Sequence, residues 1–350
     1  MSFITNIRSV AKYESKILVR SWFFRIFTLL AVVFLGFFNF AMMLMEDNFG
    51  LWFAKSVSSN IPYLNLLLLN TGQAVVAVFL SSEFLKRDKK LDTSEVFYVR
   101  PLSNAEYVVG KIWGNLRVFL FLNLLVLAIV LAFNFMASGV TVDLPAYLVY
   151  FFLISIPTLI FIIGLSIFLM LLLNNQALTF ILLLGYIGLT LFYIQDKFYY
   201  LFDYMVYNLP LFKSTIVGFS NLELILNHRA IYFFAGLGFI FFTIFLFKRL
   251  PNARRSHYPW LFLSFCMFLL MVTAGFRHVR SILWEGEMRA LYTSINNKYV
   301  YEPKMAIDYY DISVEQKSET IRSVVGMEGT ALAASEVFIF CLNPGLSCLL

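Results

Sequence analysis

The stretch AYLVYFFLISIPTLIFIIGLSIFLMLLL, residues 146–173, contains no Asp, Glu, Lys, Arg or His. About 20 predominantly apolar residues are enough to carry a helix across the hydrocarbon of a bilayer. This run exceeds that length and includes Pro157, so a tilted or kinked span is predicted. Comparable runs lie at 26–45, 61–80, 118–136, 177–194, 230–247 and 260–275. The whole chain is 60% hydrophobic and 14% charged, with a mean hydropathy of +0.78. A soluble domain keeps roughly a quarter of its residues charged, so the pattern predicts an all-α polytopic membrane protein with about seven transmembrane helices.

Cation placement orients the spans. Arg8, Lys12, Lys16, Arg20 and Arg25 precede the first run. Lys86, Arg87, Lys89, Lys90, Arg100, Lys111 and Arg117 fall between the second and third, and Lys248, Arg249, Arg254 and Arg255 between the sixth and seventh. The opposite connections hold only Lys55, Lys197, Lys213 and Arg229. By the positive-inside rule the amino terminus is expected in the cytoplasm and everything after residue 275 outside. The net charge of +6 is then a topology signal, and nucleic acid is not an expected partner. The amino-terminal residues show no cleavable signal peptide pattern, so the first run is expected to be retained.

Residues 1–25 place Phe3, Ile7, Val10, Ile17 and Trp22 near helical spacing, predicting an amphipathic helix at the cytoplasmic interface. The connection 195–229 is long and aromatic, and is expected to form a surface-lying or re-entrant helix broken at Pro210. From residue 276 the pattern changes. Tyr310, Ile312 and Val314 alternate with Asp311, Ser313 and Glu315, a strand signal, so 276–350 is expected to be an extracytoplasmic tail opening a β domain, with 251–275 containing the seventh span. Cys341 and Cys348 would then face an oxidising compartment where they can pair, and Cys266 in the last run is expected to be inert.

Catalytic signatures are missing. There are three histidines and no HExxH, GxSxG or Cys/His metal spacing; Gly110-Lys111 lacks the Ser/Thr and the earlier Gly of a phosphate-binding loop. No enzymatic activity and no cofactor are expected in this chain. The span cores as delimited carry no Asp, Glu, Lys, Arg or His, which disfavours an ion-coupled carrier. Their polar residues include Asn65, Asn70, Gln73 and Asn123; these are interhelical glue or the lining of a substrate path.

Between the second and third runs lies LDTSEVFYVRPLSNAEYVVGK, residues 91–111. Ser103-Asn-Ala-Glu106 is a capping box opening a helix, and Asp92-Thr-Ser-Glu95 is a weaker one. Pro101 disfavours helix at Arg100. The spacing predicts a short helix over 93–99, a break, and a second helix from Ser103 towards the third span. Such a short helix is marginal alone and must rest on its own membrane domain or on a cytoplasmic partner.

The combination of AKYESKILVR (11–20) before the first span, EVFYVRPLSNAEYVVGKIWG (95–114) after the second, and a six-span core resembles the permease subunit of type-2 ATP-binding-cassette exporters over residues 1 to about 250. That resemblance implies a connecting helix at 1–25, a transmembrane domain at 26–250, and a coupling loop at 81–117 that docks on a separate cytoplasmic ATP-binding subunit. Glu95, Val96, Phe97, Arg100 and Pro101 would be the docking elements, with Lys111 near the membrane surface. It further implies ATP in the partner subunit, a second permease copy or a related half, and residence in a bacterial inner membrane. The extra span and YDISVEQKSETIRSVVGMEGTALAA (310–334) are similar to a subgroup with an external aminopeptidase-like region; without HExxH no peptidase activity carries over. That subgroup implies either a piece of a longer permease or a reduced external module. The alternative expectation is a non-transporting anchor or scaffold that displays a β domain.

Overall fold

The computed structural model of the chain describes residues 3–44, 57–90 (backbone only from 81), 102–136, 142–194, 196–209, 211, 213, 218–219, 221–247, 258–301, 305–317 and 320–334. The chain divides into two compact units, Met1–Ser214 with Phe219–His278, and Thr215–Gly218 with Val279–Leu350.

The first unit is helical. Helix α1 (Phe3–Arg20) is followed by α2 (Trp22–Leu44), α3 (Asn60–Lys90), α4 (Asn104–Met136), α5 (Leu144–Leu173), α6 (Gln176–Ile194), α7 (Leu222–Leu246) and the start of α8 (Tyr258–Lys298). Among the described residues, seven helices, α2 to α8, are long and apolar enough to cross a membrane. The ends follow local chemistry. At α4 the predicted capping box forms: Ser103 Oγ accepts from the Glu106 N–H at 3.2 Å, and Glu106 Oε2 accepts from the Ser103 N–H at 2.6 Å. Asp143 caps α5, whose first turn holds Pro145, and Asn175 caps α6 by accepting from the N–H groups of Ala177 and Leu178. Asn174, left-handed at φ 52°, ends α5.

Small residues set the packing, as expected where lipid tails compete with side chains for apolar contact. A Cβ on Gly164 of α5 would sit 2.6 Å from the Gly236 carbonyl oxygen of α7, and one on Gly236 would sit 2.7 Å from the Ile160 carbonyl. The two backbones therefore touch. Gly110 and Gly114 do the same for α4 against α1: a Cβ on Gly114 would lie 2.9 Å from the Ala11 oxygen.

Helix α1 forms as predicted; it buries Ala11, Glu14, Ser15 and Leu18 and sets Val10 against Gly110, while Phe3 and Trp22 are exposed. Three expectations need correction. Residues 198–209 form no re-entrant helix but a 3-10 turn at Phe198–Tyr200 and further turns. Helix α7 begins at Leu222 rather than at 230, so Arg229, expected in a loop, lies inside it. Helix α8 continues from 275 to Lys298, so the tail from 276 starts as helix. Hydropathy falls there because charges begin, yet Glu285, Met288, Arg289 and Ala290 are good helix formers, with Glu285 and Arg289 at a supporting i, i+4 spacing.

The second unit holds the end of α8 and a two-stranded antiparallel ribbon of β1 (Met305–Lys317) and β2 (Thr320–Ala331), as the alternation in 310–315 predicts. Its register runs from Met305 opposite Ala331 to Lys317 opposite Thr320, with an irregularity between Ile307 and Tyr309. Gly329 faces it, in a position where a Cβ would collide with the Ala306 carbonyl.

Candidate functional site

Polar side chains gather at three levels of the first unit. Around the start of α4, Lys111 and Glu14 of α1 form an ion pair at 3.2 Å, both almost fully buried. Asn6 donates to Glu106 Oε1 at 2.9 Å, Ser15 donates to the Gly114 carbonyl at 2.6 Å, and Arg117 Nη2 donates to the Ala11 carbonyl at 2.8 Å. Lys111 is thus part of the joint between α1 and α4. Asn104 donates to the Phe247 carbonyl at 2.6 Å, and Tyr107 stacks on the Phe247 ring, which seats this joint against the last turn of α7. Glu95, Val96, Phe97, Arg100 and Pro101, and the predicted helix over 93–99, lie outside the described residues, as do Cys341 and Cys348.

At mid-bundle the structure brings together three of the four predicted amides. Asn123 Nδ2 donates to Gln73 Oε1 at 2.8 Å, Asn70 Nδ2 reaches Asn123 Oδ1 at 3.0 Å, and Ser155 of α5 donates to Asn123 Oδ1 at 2.8 Å. Asn70 Oδ1 and Gln73 Nε2 are buried and have no hydrogen-bond partner among the described residues. Asn65 belongs elsewhere, in a reciprocal pair with Asn39 of α2 at 2.7 and 3.1 Å. Ser155 escaped the sequence reading because only its α5 register places it against these amides.

The third level is at the opposite end of α7 from Phe247. Within α5, residues Phe151–Ser155 make a π-helical turn just before Pro157. Proline has no N–H, so the Leu153 carbonyl four residues earlier loses its α-helical donor. The guanidinium of Arg229, itself 2% exposed, takes that place: Nε donates to Leu153 O at 2.6 Å, and Nη2 lies 3.3 Å from Ile154 O and 2.8 Å from Thr158 Oγ1. Its remaining arm, Nη1, donates to the Tyr204 carbonyl at 2.7 Å. The planar five-donor fork of Arg suits this division of labour; a Lys ammonium would not span it.

Tyr204 belongs to the segment 196–213, in which seven carbonyls of the described residues meet side chains of the helices or of Ser59, just before α3. His278 of α8 meets Tyr199 O at 2.9 Å, His228 of α7 meets Tyr200 O at 3.0 Å, and Tyr232 donates to Leu201 O. Tyr63 donates to Val206 O at 3.2 Å, Tyr150 to Leu211 O at 2.8 Å, and Ser59 to Lys213 O at 2.9 Å. Lys213 is anchored by Asp143 at 2.6 Å. Asp203, 3% exposed, accepts from the N–H groups of Tyr207 and Asn208 at 2.8 Å each. Burial raises its carboxyl above the usual Asp range, opposed by those two N–H groups and by the charge of Arg229; burial also pushes the Tyr204 phenol up. Phe198, Tyr199, Tyr200 and Val206 all have φ between 52° and 63°. For residues with bulky side chains each such conformation costs about 1–3 kcal/mol and persists only where the surroundings hold it.

Sequence reasoning missed Arg229, His228, Asp203 and His278. The available signal was the pairing of Pro157, which must leave an acceptor unmet, with an Arg at the head of an apolar run two spans later. Among the described residues no group of three or more His, Cys, Asp or Glu is placed to hold a metal ion. No protein-family model and no curated protein matches the sequence.

Proposed function

We propose that the chain is the permease subunit of an ATP-binding-cassette exporter, driven by ATP hydrolysed in a separate cytoplasmic subunit that docks on residues 86–111. The support comes from the motif-level resemblance in residues 11–20 and 95–114, together with one structural observation. The buried Glu14–Lys111 pair and the contacts at Gly110 and Gly114 weld α1 to α4, so a push delivered just before Ser103 has a stiff route into the third span. The amide group of Asn70, Gln73 and Asn123, with one acceptor and one donor unmet among the described residues, is the proposed lining for a neutral polar part of the substrate. A second copy or related half would complete the path.

The test is co-purification of the full chain in mild detergent with ATPase subunits encoded nearby, wild type against a Phe97→Ala/Arg100→Ala variant. A complex that is present in wild type and lost in the variant is the expected result. A folded chain that binds no such subunit would favour the second reading, a membrane anchor that displays the external β region. What favours that reading is α8, whose 41 residues exceed by about twofold what a bilayer crossing needs and lead into the β ribbon.

A further inference from the structure

We propose that residues 196–209, with 211 and 213, form a sprung strap over one end of the membrane unit, and that Arg229 is its keystone, joining the strap to the proline break of α5. The strap is strained: four of its residues with large side chains sit in the left-handed region. Among its described residues it has one 3-10 turn and otherwise turns, bends and irregular backbone. What holds it is the set of carbonyls at 199, 200, 201, 204, 206, 211 and 213, each met by a side chain from α3, α5, α7 or α8 or, at 213, by Ser59 just before α3. Most of these donors serve the strap alone. Arg229 also serves the backbone of α5 at Leu153 and Ile154, so the strap and the break in α5 share one guanidinium, beside which Thr158 of α5 makes a longer contact of 3.4 Å with the same Tyr204 carbonyl. If α5 straightens or shifts at Pro157, Arg229 must give up either the helix or Tyr204 O. Loss of the Tyr204 contact frees a segment whose backbone relaxes on release. By the cation asymmetry this is the extracytoplasmic end, and its use as an exit rests on the exporter reading; the strap itself does not.

The experiment is hydrogen exchange followed by mass spectrometry on the full chain in lipid nanodiscs, without any partner. Arg229→Gln is expected to raise exchange across 198–209 by about tenfold or more while α4 keeps its protection. Unchanged exchange there in a folded Arg229→Gln protein overturns the proposal. Pro157→Ala in the same background returns an N–H to the Leu153 carbonyl, so protection around 150–158 should recover while 198–209 stays fast. Recovery of the strap as well would mean that Arg229 acts only through α5, and would overturn the keystone role. Should Arg229→Gln fail to fold, the double variant carries the test. Tyr232→Phe, which deletes one strap donor and leaves Arg229 in place, should by itself speed exchange in 198–209 several-fold; no change in that variant also overturns the proposal. Because the chain is measured alone, failure to capture an ATPase subunit leaves this outcome readable.

Discussion

The two ends of α7 solve the problem of a buried cation differently. Near Phe247, Lys111 is matched by an opposite charge, Glu14, and the residue of its cost is spread over a helix cap and glycine contacts. Near Leu222, Arg229 has no carboxylate within ion-pair distance among the described residues and is matched by dipoles, four oxygens from α5 and the segment 196–213. A charge pair can be deleted as a pair, because each member exists to answer the other. A cation that answers backbone carbonyls can be deleted only if the backbone is mended too, and here mending means removing Pro157.

That contrast orders the expected effects. Arg229→Ala takes the guanidinium away from three buried carbonyls and the Thr158 hydroxyl, leaving Tyr204 O only the 3.4 Å contact from Thr158, and unmet acceptors cost about 1–3 kcal/mol each. It should give the largest loss in thermal stability of the purified chain, with Arg229→Lys recovering only part. Next comes Glu14→Ala, which takes the carboxylate partner from the buried Lys111 charge at a cost of about 3–5 kcal/mol. Glu14→Leu with Lys111→Met should restore most of that loss, and a double variant as unstable as the single one would show that the pair is not a closed unit. Gly236→Ala, which meets backbone and not a yielding side chain, should cost about 1–3 kcal/mol by overpacking. Ser103→Ala removes one cap acceptor, worth about 1 kcal/mol, and should loosen only the first turn of α4 in hydrogen exchange.

The smallest effect expected is a slope with pH. Because burial raises the Asp203 carboxyl, the folded state holds its proton more tightly than the unfolded chain does. Its contribution to stability is therefore fullest in acid and is lost as pH rises from the ordinary Asp range through the raised one. Asp203→Asn should flatten the dependence of the melting temperature across that window; an unaltered slope would place the titrating group elsewhere.

Much of the fold was legible in the sequence because it rests on local signals. Seven apolar runs are counted without knowing their neighbours, and Ser103 to Glu106 carries its own cap. The alternation from Tyr310 to Glu315 names a strand without a partner in view. What was not legible depended on register or on a distant chain segment. Hydropathy stops at 275 because charge begins, whereas the helix stops only at Lys298. The apolar run of α7 was counted from 230 because Arg229 is charged, although its charge is answered inside the protein. Asn65 and Asn70 look equivalent on paper, and only the rotation of α3 sends one to Asn39 and the other to Asn123 and Ser155. The residues chosen for docking, Glu95 to Pro101, lie outside the described residues, so only Lys111 of that group acquires a surrounding, and it is an interior one.

The touching backbones of Gly164 and Gly236 lie between the two ends of α7. Helices whose main chains interlock resist sliding but can rotate about the point of contact, because small residues there present no ridge to climb. Gly236 is thereby a pivot, about two turns of helix from Arg229. A scissor motion of α5 against α7 about that point would spread the arms at one end as it draws them together at the other. A displacement fed in beside Phe247 would reach Arg229 with its direction reversed, as across a seesaw.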